Sequence, residues 1–276
     1  YDYEYQRTLT VPENELSDTH ILEFEGVYHN AEVWLNGQKA AFHPYGYTNF
    51  YVDCAPFLRA GDNELRVIAR NADQPNSRWY SGAGLYRPVQ LWTAGDKHIL
   101  LNGVRIRTVS LEPAVVEIRV RTSAPGTVQL MLEGLPTVRK ESDGEAVFTL
   151  TIDNASLWTP ETPNLYRCRV QFADDEAVET FGVRTVSWGK NGFTLNGERV
   201  IIQGACIHHD NGLLGAVCDL DAVARKVRLL KETGYNAIRS AHNPCSKALL
   251  AECDRQGVLV MDEYIDHWYI HKTEYD

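Results

Sequence analysis

A change in hydrophobic pattern near residue 188 constrains the fold of this 276-residue chain more than any other feature. Before it, β-branched and aromatic residues alternate with polar ones in short segments separated by turn residues, which is typical of antiparallel strands. After it, continuous apolar strands alternate with segments of helical periodicity. The chain is therefore predicted to be multidomain, with all-β structure first and a parallel α/β sheet last.

The all-β part divides at the polar segment 94–98. Before this break, long loops and many aromatic residues predict a jelly-roll β-sandwich over residues 1–95. Its predicted strands are residues 3–10, 20–25, 31–35, 63–70 and 88–93. After the break, short strands at roughly ten-residue spacing predict an immunoglobulin-like β-sandwich over residues 96–187. Its predicted strands are residues 99–107, 115–122, 127–133, 145–152, 165–172 and 178–186.

Leu-Asn-Gly occurs three times, at residues 35–37, 101–103 and 195–197, each time between alternating hydrophobic residues. Asn-Gly supplies the two positive-φ residues of a tight hairpin turn. We therefore predict three hairpins.

Residues 188–276 read as β-α-β-α-β. The first predicted strand is the apolar run 200–202, and Asp219 then caps a helix that Gly234 ends, with Val223, Val227 and Leu230 on one face. A strand at 235–239, a helix from about Ser246 and a strand at 258–261 follow. In the second helix, the residues expected to face inward are Leu249, Leu250 and Cys253.

The length of this last segment indicates an incomplete barrel. A closed (β/α)8 TIM barrel needs about 250 residues, whereas residues 188–276 hold about three strands. A parallel sheet of three strands on its own would leave apolar faces uncovered. We therefore expect the first β/α units of a truncated TIM barrel, with the chain stopping inside a larger domain.

Composition excludes some functions and leaves others open. Lys and Arg total 27 against 37 Asp and Glu, a formal net charge of −10, and no basic block is present, which argues against nucleic acid as a partner. No apolar run approaches the roughly 20 residues of a membrane span. No export signal is visible at the start, so a cytoplasmic or periplasmic location stays open. The six cysteines lack CxxC spacing and are expected to be reduced, buried thiols.

Polar residues follow each of the three predicted α/β strands. They are His208-His209-Asp210 after the first, Arg239 to Asn243 after the second, and Asp262-Glu263 after the third. In an α/β barrel, ligands meet the carboxyl ends of the strands. The three strand ends are therefore expected to form one wall of an active site.

Each of these groups has alternative interpretations. His208, His209 and Asp210 could be metal ligands, imidazoles that orient a polar substrate, or a structural cluster; no helical ligand spacing supports a closed metal site, which favours the second. His242 and Asn243 could belong to a loop held by a proline turn, but a His directly past a strand end favours ligand contact.

Asp262 and Glu263 suggest a general acid–base pair, but adjacent strand residues point to opposite sides. They therefore cannot flank one glycosidic bond at the separation that glycosidases require. One of the two could still line the pocket.

A loop of the first domain, residues 77–87, concentrates two cations, aromatic faces and two glycines. Arg78 and Trp79 could bind carbohydrate, because sugars stack C–H faces on aromatic rings and their hydroxyls accept from Arg. The structural alternative is a glycine-bent strand entry with a core Trp. GxSxG, P-loop and GxGxxG motifs are all missing from the sequence, so serine hydrolase and nucleotide-binding functions have no support.

Five segments together resemble glycoside hydrolase family 2, which contains β-galactosidases, β-glucuronidases and β-mannosidases. They are SRWYSGAGLYRPVQL (77–91), LWTPETPNLY (157–166), FGVRTVSW (181–188), FTLNGERVIIQGACIHHD (193–210) and LLKETGYNAIRSAHNPCSKALLAECDRQGVLVMDE (229–263). The resemblance covers nearly the whole chain and implies a jelly-roll sugar-binding domain, an immunoglobulin-like sandwich and a (β/α)8 catalytic barrel. It also implies retaining hydrolysis by two Glu residues, an acid/base in an Asn-Glu pair after barrel strand 4 and a nucleophile at strand 7. Both are expected downstream, so this polypeptide alone is expected to be inactive.

The resemblance also assigns individual residues. His208 and His242 match histidines that contact sugar hydroxyls in relatives, and Arg239 matches an Arg that hydrogen-bonds the nucleophile and keeps it ionised. Asp210 matches the acidic position of an HxD motif, and Glu263 a structural or pocket-lining Glu. Arg78 aligns where some relatives carry an Asp that reaches into the pocket.

The resemblance places the chain closest to bacterial β-galactosidases, partly through Asp-His-Trp at 266–268. The expected function is hydrolysis of terminal β-galactosides by the full-length protein, with β-glucuronidase or β-mannosidase as alternatives. An alternative of another class is a non-catalytic carbohydrate-binding module. The sequence identifies no definite cofactor, and Mg²⁺ or Na⁺ is left open for the full-length enzyme, which is expected to be a homo-oligomer. Family members usually have a further strand before the segment at Tyr5, so a piece of the jelly roll is expected to be missing.

Overall fold

The computed structural model describes residues 1–73 and 80–265. The chain divides into two compact units. The first comprises residues 1–93, 204–252 and 260–276, and the second residues 94–203 and 253–259.

The first unit begins with a β-sandwich. Its sheets have the strand orders β1-β7-β4-β5 and β6-β2-β9, with a short β3-β8 pair beside them. The strands are β1 (Tyr3–Val11), β2 (Thr19–Phe24), β3 (Val27–Tyr28), β4 (Ala31–Leu35), β5 (Gln38–His43), β6 (Phe50–Asp53), β7 (Gly61–Ala69), β8 (Gly84–Leu85) and β9 (Val89–Ala94), and a 3-10 turn covers Glu13–Glu15. Alternate residues of these strands fill the core, where the rings of Phe24 and Phe50 stack 4.7 Å apart. The predicted jelly-roll sandwich is confirmed.

The second unit contains a sandwich of seven strands in two antiparallel sheets, ordered β10-β11-β14 and β13-β12-β15-β16. The strands are β10 (Ile99–Leu111), β11 (Ala114–Thr122), β12 (Gly126–Leu132), β13 (Val138–Ser142), β14 (Glu145–Thr151), β15 (Tyr166–Phe172) and β16 (Asp175–Phe181). Strict alternation along β11 buries Val116, Ile118 and Val120 completely. Three or four strands per sheet, with one apolar face each, confirm the immunoglobulin-like sandwich.

A small antiparallel sheet follows in the same unit, with β17 (Val186–Gly189), β18 (Gly192–Leu195) and β19 (Glu198–Arg199). The α/β segment then comprises β20 (Gly204–Ile207), a 3-10 turn at Gly212–Leu214, α1 (Leu220–Glu232), β21 (Ala237–Ser240), α2 (Lys247–Gln256) and β22 (Leu259–Asp262). Its sheet has the order β20-β21-β22, and β20 and β21 are parallel. These are the first β/α units of a TIM barrel, as predicted.

Helix α1 forms as its sequence predicts. The Asp219 side chain accepts a hydrogen bond from the backbone N–H of Ala222 at 2.8 Å, and Val223 and Val227 are buried. In α2, Leu249 and Cys253 are buried, but the prediction for Leu250 is wrong, because its side chain is exposed.

The prediction of a first barrel strand at residues 200–202 is wrong. Ile201 and Ile202 are 71% and 50% exposed, and the strand is Gly204–Ile207. Strand β21 begins at Ala237, which pairs with Gly204, so residues before Gly204 have no β21 residue to pair with. A Cβ atom on Gly204 would lie 2.6 Å from the carbonyl oxygen of Ala237, so glycine is required where the two strands meet.

Two of the three Leu-Asn-Gly hairpins are confirmed. Asn36-Gly37 and Asn196-Gly197 have positive φ and join adjacent antiparallel strands. The hairpin prediction at 101–103 is wrong, because only Asn102 has positive φ and the segment is an irregularity inside β10. A Cβ atom on Gly103 would lie 2.5 Å from the carbonyl oxygen of Leu100, which is typical of a glycine at a bulge.

One predicted strand of the second sandwich is displaced. Residues 178–186 were expected to be extended, but β16 covers Asp175–Phe181. Gly182 lies directly after it, where a Cβ atom would meet the Cβ of Trp158 at 2.6 Å. Glycine is therefore required at this position, where the chain packs against the buried Trp158.

Candidate functional site

The carboxyl ends of β20 and β21 lie side by side, because Ile207 pairs with Ser240. His208 therefore lies next to Ala241, and its Nδ1 is 2.7 Å from the carbonyl oxygen of Ala241. A carbonyl can only accept, so Nδ1 carries the proton and donates it. In the neutral imidazole, Nε2 is then the acceptor nitrogen.

Arg239 is held by a carboxylate and a thiol at the same end of the sheet. Its Nε and Nη2 lie 2.8 and 2.6 Å from Oε1 of Glu263, and its Nη1 lies 3.2 Å from Sγ of Cys206. The hydrogen bonds to Cys206 and Glu263 raise the pKa of Arg239. The guanidinium is therefore a fixed positive charge with a defined direction, partly screened because the side chain is 38% exposed.

His242 lies between these two groups. Its Nδ1 is 3.3 Å from Oε2 of Glu263 and 3.4 Å from Nη2 of Arg239. The carboxylate accepts from a protonated Nδ1, whereas the guanidinium donates to an unprotonated one, so the two contacts compete for the same nitrogen. The ring centroid of His242 lies 5.5 Å from that of His208. The structure thus brings four of the candidate residues together: His208, Arg239, His242 and Glu263.

Asp262 takes no part in this cluster. Its Oδ1 accepts from the backbone N–H of Cys245 at 3.0 Å, whereas Glu263 contacts Arg239 and His242. Two adjacent carboxylates on opposite sides of an extended segment cannot act on one bond. Asp262 instead holds the loop that follows β21.

His209 and Asp210 make contacts outside this cluster. The His209 ring lies 5.0 Å from that of Tyr47, and its Nδ1 is 3.3 Å from Nη2 of Arg87. Burial, and then the positive charges of Arg87 and Lys226, lower the pKa of His209 to about 3, so this ring is neutral. Asp210 is exposed, and its backbone oxygen accepts from the Lys226 ammonium. Within residues 1–73 and 80–265, no three His, Cys, Asp or Glu side chains converge as a metal site.

Asn243 faces the first sandwich. Its amide is 2% exposed and its Oδ1 accepts from the Tyr45 hydroxyl, while its backbone oxygen accepts from Oγ of Ser240 at 2.9 Å. The sequence placed Asn243 among ligand contacts, but the structure gives its side chain to the sandwich instead.

Three residues of the first sandwich reach the α/β segment and were not recognised from the sequence: Glu23, Tyr45 and Arg87. Arg87 lies in the loop 77–87, but the residues of this loop that the sequence suggests as carbohydrate contacts are Arg78 and Trp79. Those two residues, and Asp-His-Trp at 266–268, lie outside the described residues. The available signal for Glu23 was its position inside a strand of largely apolar residues. A carboxylate that is buried in such a strand requires hydrogen-bonding partners.

Comparison with known families covers the chain in three consecutive parts. The model described as the glycosyl hydrolases family 2 sugar binding domain matches residues 2–95, the model described as glycosyl hydrolases family 2 matches 103–184, and its TIM barrel domain matches 186–267. Two β-sandwiches followed by the first strands of a barrel match this order of domains. The chain belongs to glycoside hydrolase family 2, whose members are glycosidases.

Individual relatives agree with this assignment. The chain is 38% identical to Beta-galactosidase BoGH2A of Bacteroides ovatus, over 99% of this chain and 35% of the relative. It is 34% identical to a putative beta-glucuronidase of Formosa agariphila, over 96% of this chain and 27% of the relative. The crystal structure of a beta-glycosidase from Bacteroides vulgatus superposes with a TM-score of 0.91 at 31% identity, covering 100% of this chain and 38% of that one.

The chain thus spans between 27% and 38% of the length of these three relatives. Both described helices, α1 and α2, are too short and too polar to cross a bilayer.

Proposed function

We propose that this chain forms the sugar-contacting wall of a retaining β-galactosidase, in which His208 and His242 bind sugar hydroxyls. The observation that carries the proposal is the cluster of two imidazoles and an Arg–Glu pair at neighbouring strand ends. The galactoside is favoured by the 38% identity to a relative named beta-galactosidase.

The roles follow from the hydrogen-bonding chemistry of each group. Because Nδ1 donates to the Ala241 carbonyl, Nε2 of a neutral His208 would accept a hydrogen bond from a sugar hydroxyl. Arg239, held by Glu263, would place its positive charge beside the nucleophile of the longer protein and favour the ionised form of that carboxyl.

The chain by itself is proposed to be inactive. Retaining hydrolysis needs two carboxyl groups about 5–5.5 Å apart. Among the described strand ends only Glu263 faces the cluster, and Arg239 already binds it. We expect the purified 276-residue chain to release no product from a chromogenic β-galactoside above a buffer blank, and clear turnover would contradict the proposal.

Sugar binding can be tested on the chain directly by calorimetry. We expect galactose to produce binding heat that His208→Gln and His242→Gln abolish. His98→Gln serves as the matched control, because His98 lies in the second unit and contacts Gly95.

A second candidate, β-glucuronidase, is favoured by the 34% identity to a relative of that name. Heat with glucuronate but not with galactose would select it over the β-galactosidase. If neither sugar produces heat, the result counts against binding of these sugars by the chain on its own, whether as part of a hydrolase or as a non-catalytic binding module.

A further inference from the structure

The loop that carries His242 is contacted by the first sandwich at three nearby positions. We define the His242 loop as residues 241–246, between β21 and α2. Asn243 is bound by Tyr45, Pro244 by Arg87, and Lys247, the first residue of α2, by Glu23. All of these residues belong to the first compact unit.

Arg87 divides its donors between the sandwich and the α/β segment. Its Nη1 donates to the backbone oxygens of Tyr47 at 3.0 Å and Glu25 at 3.4 Å. Its Nη2 donates to the backbone oxygen of Pro244 at 2.7 Å and lies 3.3 Å from Nδ1 of His209. Because the guanidinium is planar and rigid, these bonds fix the loop relative to the sandwich in distance and direction.

Arg87 is 5% exposed, and its hydrogen bonds go to three backbone carbonyls and to the neutral ring of His209. A buried charge is tolerated only when it is hydrogen-bonded, so the backbone carbonyls that accept hydrogen bonds from Arg87 help to stabilise the buried guanidinium. Displacing Pro244 would leave a buried donor unsatisfied, which makes the displaced loop unfavourable.

Glu23 provides a second connection. Its carboxylate is fully buried and accepts from Nζ of Lys247 at 2.6 Å, Nδ2 of Asn49 at 2.9 Å and Nε1 of Trp92 at 3.0 Å. Burial raises the pKa of Glu23, but these hydrogen bonds and the charge of Lys247 outweigh it and lower the pKa overall. An ionised Glu23 therefore anchors the start of α2, where the His242 loop ends.

Tyr45 provides the third. Its hydroxyl donates to Oδ1 of Asn243, and its ring packs edge-on against Tyr47 at 5.7 Å. Tyr47 in turn packs against Tyr86, whose hydroxyl donates to the backbone oxygen of Gly46 at 2.8 Å. The hydroxyl that meets Asn243 is thus held by a packed aromatic cluster.

We propose that Arg87, Glu23 and Tyr45 are positioning residues that hold the His242 loop, so that the first sandwich sets the position from which the His242 imidazole meets Glu263 and Arg239. The α/β segment itself holds the loop backbone through Ser240 and Asp262 and contacts the His242 ring through Glu263 and Arg239. Only the assignment of His242 to a sugar hydroxyl rests on the proposed function. The positioning itself is a property of the chain with no ligand bound.

The test is nuclear magnetic resonance of the histidine ring signals in the ligand-free chain. Tyr45→Phe removes one hydroxyl, and Lys247→Met removes the ammonium while keeping most of the stem. We expect both to move or broaden the His242 ring signal by more than its line width and to leave His98, in the second unit, unchanged. The matched controls Tyr3→Phe and Lys190→Met remove the same groups from exposed positions and are expected to move neither signal.

A conservative variant distinguishes positioning of the loop from a general loss of stability. Lys247→Arg keeps a positive charge beside Glu23 and is expected to give the wild-type His242 signal. An unchanged His242 signal in folded Tyr45→Phe and Lys247→Met overturns the proposal, and so does an equal movement of His98, which would show a global effect. Failure of the sugar titrations would leave these signals as they are, so it would count against the proposed function alone.

Discussion

The buried carboxylate of Glu23 offers the sharpest prediction, through the variant Lys247→Met. In the native chain Lys247 supplies a hydrogen bond of 2.6 Å and a positive charge to a fully buried group. A hydrogen bond to a charged group contributes about 1.5–3 kcal/mol. Because the Lys247 side chain is 44% exposed, water screens part of this. We expect a loss of about 1–2 kcal/mol in the stability of the first unit near neutral pH.

The pH dependence makes the prediction specific. The pKa of Glu23 is lowered in the native chain, so its stabilising contribution is present above the ordinary carboxyl pKa and is lost as pH falls through the lowered value. Removing Lys247 takes away a hydrogen bond and a positive charge that lower this pKa, so the pKa of Glu23 rises relative to the native chain. Part of the stabilisation that the ionised Glu23 contributes near neutral pH is then lost. The difference between wild type and variant should therefore be small in acid and grow toward neutral pH.

Hydrogen exchange of the α2 amides, followed by mass spectrometry, measures this local free energy, and is preferable to a global melt because two units need not unfold together. The measurements are made at about pH 4 and about pH 7, with Lys190→Met as the matched control. Adding Glu23→Gln to Lys247→Met removes the buried charge and should recover stability at the higher pH. Equal losses at both pH values, or no recovery in the double variant, would refute the reasoning.

Three further predictions concern the α/β segment. Gly204→Ala should destabilise the first unit by about 1–3 kcal/mol in urea unfolding, because its Cβ would lie 2.6 Å from a β21 carbonyl oxygen; Gly95→Ala, where the Cβ meets nothing within 4 Å, should be close to neutral. Val227→Ala, at a fully buried helix position, should cost about 2 kcal/mol in the same assay, and a similar cost for the partly exposed Leu229→Ala would contradict this packing. With a thiol reagent at about pH 8, the exposed Cys206 should react first. Burial raises the pKa of Cys54, Cys168 and Cys245 to about 11 or 12, which keeps them protonated. Cys206→Ser should remove the fast phase of the reaction, and persistence of that phase would show that another thiol is reactive.

Features that depend on a few neighbouring residues were predictable. Helix α1 follows from its cap at Asp219 and the spacing of Val223 and Val227, and two hairpins follow from Asn-Gly turns. The polar break at 94–98 and the change of pattern near residue 188 were together enough to predict two sandwiches followed by the start of a barrel. Local backbone preference and hydrophobic periodicity carry this information, and both are contained in short windows of sequence.

Features that depend on pairing between distant residues were not. The same Asn-Gly dipeptide forms a turn at residue 36 and an irregular strand at residue 102, because Gly103 lies against the backbone at Arg121. The apolar run 200–202 has the composition of a strand, but the start of β21 determines which residues can pair. A short segment of sequence does not specify which distant strand it will pair with, or in which register.

The candidate site shows the same division. Alternation of strand and helix places each strand end within a few positions, so the polar residues that follow the barrel strands could be predicted. The fold was needed to show that Glu263 binds Arg239 and His242, whereas Asp262, Asn243 and His209 bind other partners. It was also needed to show that Glu23, Tyr45 and Arg87 contact the His242 loop and the start of α2 from the first sandwich. The physical reason is that side-chain direction and burial arise from packing between segments that are 17 to 224 residues apart in the sequence, beyond the reach of local backbone preference.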